Sequence, residues 1–183
     1  METQYKSFCI VNNQGLRATV HFIESKKWYV HFHDSGSTRI DRKENILLGK
    51  TRDLYHPSRY GVGYDGDIVR VHYWRRAKEL WSNMLKRCYS DATSARNSTY
   101  LGKVTVSARW LCFANFLSDL PTLDNFDKWL SRDGKWELDK DTIIPGNTVY
   151  SVERCMFLDK FTNAAAWCRG KRKVDGQWVT TTD

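Results

Sequence analysis

The stretch from Trp136 to Trp167 holds the residues best suited to chemistry. Asp139 and Asp141 lie two apart, so on a strand both carboxylates face one side and could together hold a metal ion. Asn147 and Asn163 follow, and either amide could orient a ligand or a water. The plainer reading makes the two aspartates salt-bridged or capping groups. Lys140 lies between them and faces the other way on a regular strand.

The elements that must position these residues are legible around them. A first strand carries Trp136 to Asp141, continued by the β-branched pair Ile143 and Ile144. Pro145-Gly146-Asn147 is a strong turn signal. Cys155 to Leu158 is an apolar run long enough for a second strand. Asp159 can cap the helix that follows, which carries Phe161, Ala164, Ala165, Ala166 and Trp167. The order is strand, turn-containing loop, strand, helix.

That ββα order, with the motifs before it, resembles HNH endonucleases, and more closely a group of phage-encoded HNH-like proteins. The residues that carry the resemblance are Trp81, Met84, Leu85, Arg87, Cys88 and Tyr89; Tyr100, Gly102 and Val106; Trp110, Phe113 and Phe116; Leu138 to Asp141; Gly146, Asn147, Tyr150 and Ser151; Cys155 and Phe157; and Asn163. The resemblance implies a metal-dependent DNA endonuclease from a bacteriophage, acting in the host cytoplasm with Mg²⁺ or another divalent metal. On that reading Asp139, Asp141 and Asn163 are catalytic, and Asp139, Asp141 and Asn147 are the metal ligands. HNH chemistry also uses a histidine base to activate water. All five histidines, His21, His31, His33, His56 and His72, lie earlier in the chain. Thr142 stands in the place of that base, or Lys140 or Asp141 if the motif is read a residue or two earlier. Arg154 stands where related sequences often have Asn.

Basic residues point to the same class of partner. Residues 71–89 read as a helix, with Trp74, Ala77, Trp81, Met84 and Cys88 recurring at intervals of three and four. Its other surface carries Arg75, Arg76, Lys86 and Arg87. A second cluster, Arg169, Lys171, Arg172 and Lys173, follows the last expected helix in a basic tail. Both clusters suit DNA phosphates, although a solvated face is the ordinary role of such residues. The net charge of +8 favours an anionic partner and argues against an acidic DNA mimic. The alternative is an inactive nuclease-derived effector that binds a host or phage protein, with an anti-defence or takeover role.

The whole chain of 183 residues reads as α+β: a small N-terminal antiparallel β module, a helical segment and a C-terminal ββα HNH-like unit. The expected boundaries are a β module over 1–50, a connector over 51–68, a helical plus ββα domain over 69–168 and a basic tail over 169–183. The β module is read from runs at 8–11, 16–23, 28–32 and 38–40 and a short closing element at 44–48. His31 and His33 share one strand face, but no third ligand is placed near them, which leaves them as hydrogen-bonded strand histidines. The connector's Gly61-Val62-Gly63 reads as a hinge rather than a phosphate loop, since Asp65 and Asp67 follow it. Five cysteines, without a Cys-x-x-Cys pair, argue against a disulfide framework and a structural zinc site. A helix is expected over Arg109 to Asp119 and another over Leu123 to Leu130. No apolar run approaches the roughly 18 residues that cross a bilayer.

Overall fold

The computed structural model describes residues 7–24, 27–91, 100–163, 171–174 and 177–180. The chain forms two compact units, one of residues 1–58 and 64–67, the other of residues 59–63 and 68–183.

The first unit is a four-stranded antiparallel meander of β1 (Ser7–Val11), β2 (Arg17–Glu24), β3 (Lys27–Phe32) and β4 (Thr38–Arg42), followed by α1 (Lys43–Leu47). Alternation along the strands builds its core. Ala18, Val20, Val30 and Phe32 are fully buried, and Ile46 of α1 joins them. The β1–β2 turn is tied by Asn12, whose Oδ1 accepts from the Gln14 and Leu16 amides, both at 2.9 Å. Gly15 supplies the left-handed residue there, with φ of 77°. Thr51 and Asp53 are buried, and Thr51 Oγ1 donates to Asp41 at 2.9 Å. The expected connector therefore divides: residues 51–58 and 64–67 belong to the first unit and residues 59–63 to the second. His31 and His33 do share a face, with ring centres 6.2 Å apart, and His33 Nε2 is hydrogen-bonded to Thr19 Oγ1 at 2.8 Å.

The second unit is built on α2 (Trp74–Tyr89), 16 residues long. Ala77, Trp81, Met84, Leu85 and Cys88 are its buried stripe, as the periodicity predicts. The helix starts three residues later than expected. Val71 to Tyr73 form the preceding turn, closed by the Trp74 amide on the Val71 carbonyl. Gly63 is buried against Trp81 and Leu85, so it is a close-packing residue rather than a hinge.

After β5 (Thr105–Val106), the helix expected over Arg109 to Asp119 is two: α3 (Ala108–Leu111) and α4 (Phe113–Asp119), broken at Cys112 with extended φ and ψ of −85° and 119°. The reason is tertiary. Asp119 accepts from Arg109 Nε at 2.8 Å and from the Trp110 indole at 2.9 Å. Ten residues of straight helix would separate the ends by about 15 Å. The break folds the chain back and brings Asp119 to Arg109. Pro121 lies in a 3₁₀ turn, Leu120–Thr122, and α5 (Phe126–Ser131) follows.

The last part holds β6 (Trp136–Asp139), β7 (Val149–Tyr150) and β8 (Met156–Asp159). β6 and β8 pair antiparallel, with Leu138 opposite Phe157, and β7 pairs parallel with β5. A helix opens at Lys160, and its first turn is capped by Asp159 Oδ2, which accepts from the Phe161 and Thr162 amides at 3.0 and 3.2 Å. Its expected continuation over 164–167 lies outside the described residues. The region expected as a basic tail contains two paired strands. β9 (Lys171–Val174) pairs antiparallel with β10 (Gln177–Thr180), with Lys173 in register with Trp178. Arg169 lies outside the described residues. Among the described residues, no helix is long and apolar enough to cross a membrane.

Candidate functional site

The site is assembled where the first strand of the expected motif ends. β6 stops at Asp139 because that carboxylate turns the backbone. Its Oδ2 accepts from the Asp141 amide at 3.0 Å and the Thr142 amide at 2.7 Å. Asp141 therefore lies in a loop and not on the strand. Ile143 and Ile144 follow it into that loop and are about half exposed. The two-apart spacing does not set the side chains' directions there, since strand alternation has ended.

Lys140 departs furthest from the sequence expectation. Its side chain is only 7% exposed, and Nζ donates to both Asp141 oxygens, at 2.7 and 2.8 Å. A third bond reaches the Asn147 carbonyl at 2.9 Å. Lys140 thus turns toward Asp141. Its ammonium also stands 5.4 Å from the Tyr100 ring centre and 6.0 Å from that of Tyr150, within cation–π range.

Asn147 clips the loop shut. Its Nδ2 donates to the carbonyls of Lys140 and Val149 at 2.9 and 2.7 Å. Its Oδ1 accepts from the Val149 amide and from Arg154, both at 3.1 Å. The buried amide is committed to loop backbone and Arg154, so its expected role as a metal ligand gives way to a structural one. Asp141 is shared with Lys140. The described residues contain no group of three His, Cys, Asp or Glu side chains arranged to hold a metal.

A cavity of about 250 Å³ lies beside this loop. Asp139, Asp141 and Asn163 all line it, so the fold brings together the three residues expected to be catalytic. Arg87 reaches it from α2, and Lys140, Lys160, Glu137, Leu138, Tyr100 and Tyr150 complete the wall. Lys160 was not singled out from the sequence. The signal that could have found it is the antiparallel register, which sets Asp159 opposite Trp136 and lets the Lys160 amide bond the Lys135 carbonyl at 2.8 Å. Tyr100 and Tyr150 were legible as motif members but not as cavity residues.

Burial disfavours ionisation of three groups of this unit, Tyr150, Cys88 and Cys155. Burial pushes the Tyr150 phenol well above its ordinary range, and Tyr100 adds to the shift. Burial also raises the thiols of Cys88, to about 11, and Cys155, to about 12, against the opposing pull of the Lys140 charge.

The remaining basic residues expected to bind nucleic acid go elsewhere. Arg75 and Lys86 are exposed on α2. Arg76 is packed: its guanidinium lies 4.2 Å from the Trp129 ring centre and donates to the Leu130 carbonyl at 3.5 Å. Lys171, Arg172 and Lys173 form β9.

No protein-family model, no curated protein and no solved structure matches this chain.

Proposed function

We propose that this chain is a DNA-binding protein on an HNH-like scaffold, in which the pocket beside β6 receives a backbone phosphate. The observation that carries the reading is the convergence of Arg87, Lys140 and Lys160 on one polar cavity next to the expected motif. Lys140 is paired with Asp141, and Arg87 and Lys160 are left to contact the phosphate, with Glu137 and Asp139 also in the wall. The net charge of +8 supports the same partner. The ββα order and the bacteriophage origin implied by the sequence resemblance belong to this proposal.

A second reading, a metal-dependent endonuclease, draws on a separate observation: Asp139, Asp141 and Asn163 share the cavity. A divalent cation held by the two carboxylates would stabilise charge on the phosphoryl group. It would have to compete with Lys140 for Asp141, and with the Asp141 and Thr142 amides for one Asp139 oxygen.

The test combines mobility shift and nicking on the same DNA, with Mg²⁺, Mn²⁺ or chelator. Binding predicts a shift that survives chelator, weakens with salt and weakens further in Arg87→Gln and Lys160→Gln. Each substitution should lower the salt slope by about 1. Metal-dependent nicking lost in Asp139→Asn would establish the second reading. No shift and no nicking at low salt would overturn both and direct attention to a host protein.

A further inference from the structure

A second cavity of the same unit, about 300 Å³, is lined by His72, Tyr73, Arg75, Arg76, Leu130 and Arg132. It shares no residue with the pocket beside β6. Three arginines, a histidine and a tyrosine line it, and no carboxylate is among its described lining residues. Among the described residues, none of the three arginines forms a salt bridge.

Arg75 and Arg76 are each held by a ring rather than by an opposite charge. Arg76 is stacked on Trp129 and bonded to the Leu130 carbonyl, which fixes its plane at the cavity. Burial and the nearby Arg132 charge both push its pKa below the ordinary range, so the two cations disfavour one another as they stand. Arg75 stacks 5.6 Å from the Trp74 ring centre. Arg132 ends α5 in the left-handed region, with φ of 61°. Gly or Asn ordinarily ends a helix in this conformation, because a side chain there is strained. An arginine at that position carries the strain and sets its charge against Arg76. Like-charge proximity at one cavity is what a bound anion would relieve. The cavity also borders the first turn of α2, which has no acidic residue and no side-chain cap. The partial positive charge of a helix start is thereby added to the three arginines.

We propose that this cavity, formed by Arg75, Arg76 and Arg132 with His72 and Tyr73, is a phosphate-binding site separate from the pocket beside β6. Planar guanidiniums give the paired hydrogen bonds that phosphate oxygens take, and three of them match a doubly charged terminal phosphate better than a singly charged internal diester. The phosphate could come from a nucleic-acid strand or from a free phosphorylated compound. The cavity does not depend on the first pocket's reading, because inorganic phosphate alone probes it.

The test is calorimetric titration of the full chain with inorganic phosphate, using chloride at equal ionic strength as the reference. Arg132→Gly is the decisive variant, since glycine takes the left-handed conformation without strain and the fold should be kept. Arg75→Gln is the second variant, at an exposed position. The wild type should bind phosphate in the millimolar range or tighter, and each variant should weaken it about tenfold or more. A parallel comparison of terminally phosphorylated and unphosphorylated oligonucleotides separates the sources. Tighter binding of the phosphorylated strand, lost in Arg132→Gly, assigns the site to strand ends. Phosphate binding without that preference assigns it to free or internal phosphates. Absence of phosphate binding to the wild type, or binding that Arg132→Gly leaves unchanged, would overturn the proposal.

Discussion

Replacing Lys140 by Met removes the ammonium and keeps most of the side chain's volume. Three hydrogen bonds are lost: two to Asp141 and one to the Asn147 carbonyl. They are unequal. The Asp141 side chain is 48% exposed, so its carboxylate is rehydrated when the lysine goes, and the ion pair contributes at most about 1 kcal/mol. The Asn147 residue is buried, and the Lys140 ammonium supplies its carbonyl's donor. Leaving that carbonyl unpaired costs roughly 1–3 kcal/mol. Relief from burying an ammonium offsets part of the loss. The expected net destabilisation is about 2 kcal/mol. Tryptophan fluorescence in urea reads the relevant unit, because Trp28 is the one tryptophan of eight that belongs to the first unit. The midpoint should fall by about 1 M with an unchanged slope. Asp141→Asn should cost less than about 1 kcal/mol, and the double mutant should show a coupling of similar size. A Lys140→Met protein as stable as the wild type would refute the reasoning. So would an Asp141→Asn loss equal to that of Lys140→Met, which would put the stabilisation in the ion pair instead of the carbonyl bond.

Three other perturbations follow from the same structure. Gly63→Ala sets a Cβ against Leu85 Cδ1 and the Trp81 ring, both side chains fully buried, and should cost about 1–3 kcal/mol in the same urea experiment. In the first unit, burial pushes the Asp41 carboxyl upward, but hydrogen bonds from Asn45, the Arg42 amide and Thr51, with the Arg39 charge, hold it below its usual 3.8. Its contribution to stability is therefore complete above that value and lost as pH falls through the lower folded pKa; Asp41→Asn should flatten the acid limb of a stability–pH curve, and an unchanged limb would refute the assignment. Burial raises the Cys88 and Cys155 thiols to about 11 and 12, and Cys112 is buried too, whereas Cys9 is exposed. In a Cys168→Ser background near neutral pH, one thiol, Cys9, should react quickly with a disulfide reagent and the rest only on unfolding; two or more fast thiols would contradict the burial.

Local pattern decided much of this molecule. Alternation in residues 7–42 suffices for a sheet with Ala18, Val20, Val30 and Phe32 inside, because one covered face leaves one register that buries them. The three-and-four spacing from Trp74 to Cys88 suffices for α2, and Asp159 for the start of the last helix, since both effects act within a few residues. Asp139, Asp141 and Asn163, expected from type and order to share a site, do line one cavity. The direction of Lys140 was not legible. It depends on Asp139 ending β6 with its own carboxylate and on Asn147 closing the loop seven residues later. The break at Cys112 depends on Asp119 returning to Arg109 and Trp110. Arg76 and Arg132, read from sequence as one surface charge and one unremarked residue, meet at a cavity because Trp129 and the left-handed end of α5 set their positions. Propensity and periodicity act over neighbouring residues, whereas these features depend on hydrogen bonds and ring contacts between segments that only tertiary packing brings together.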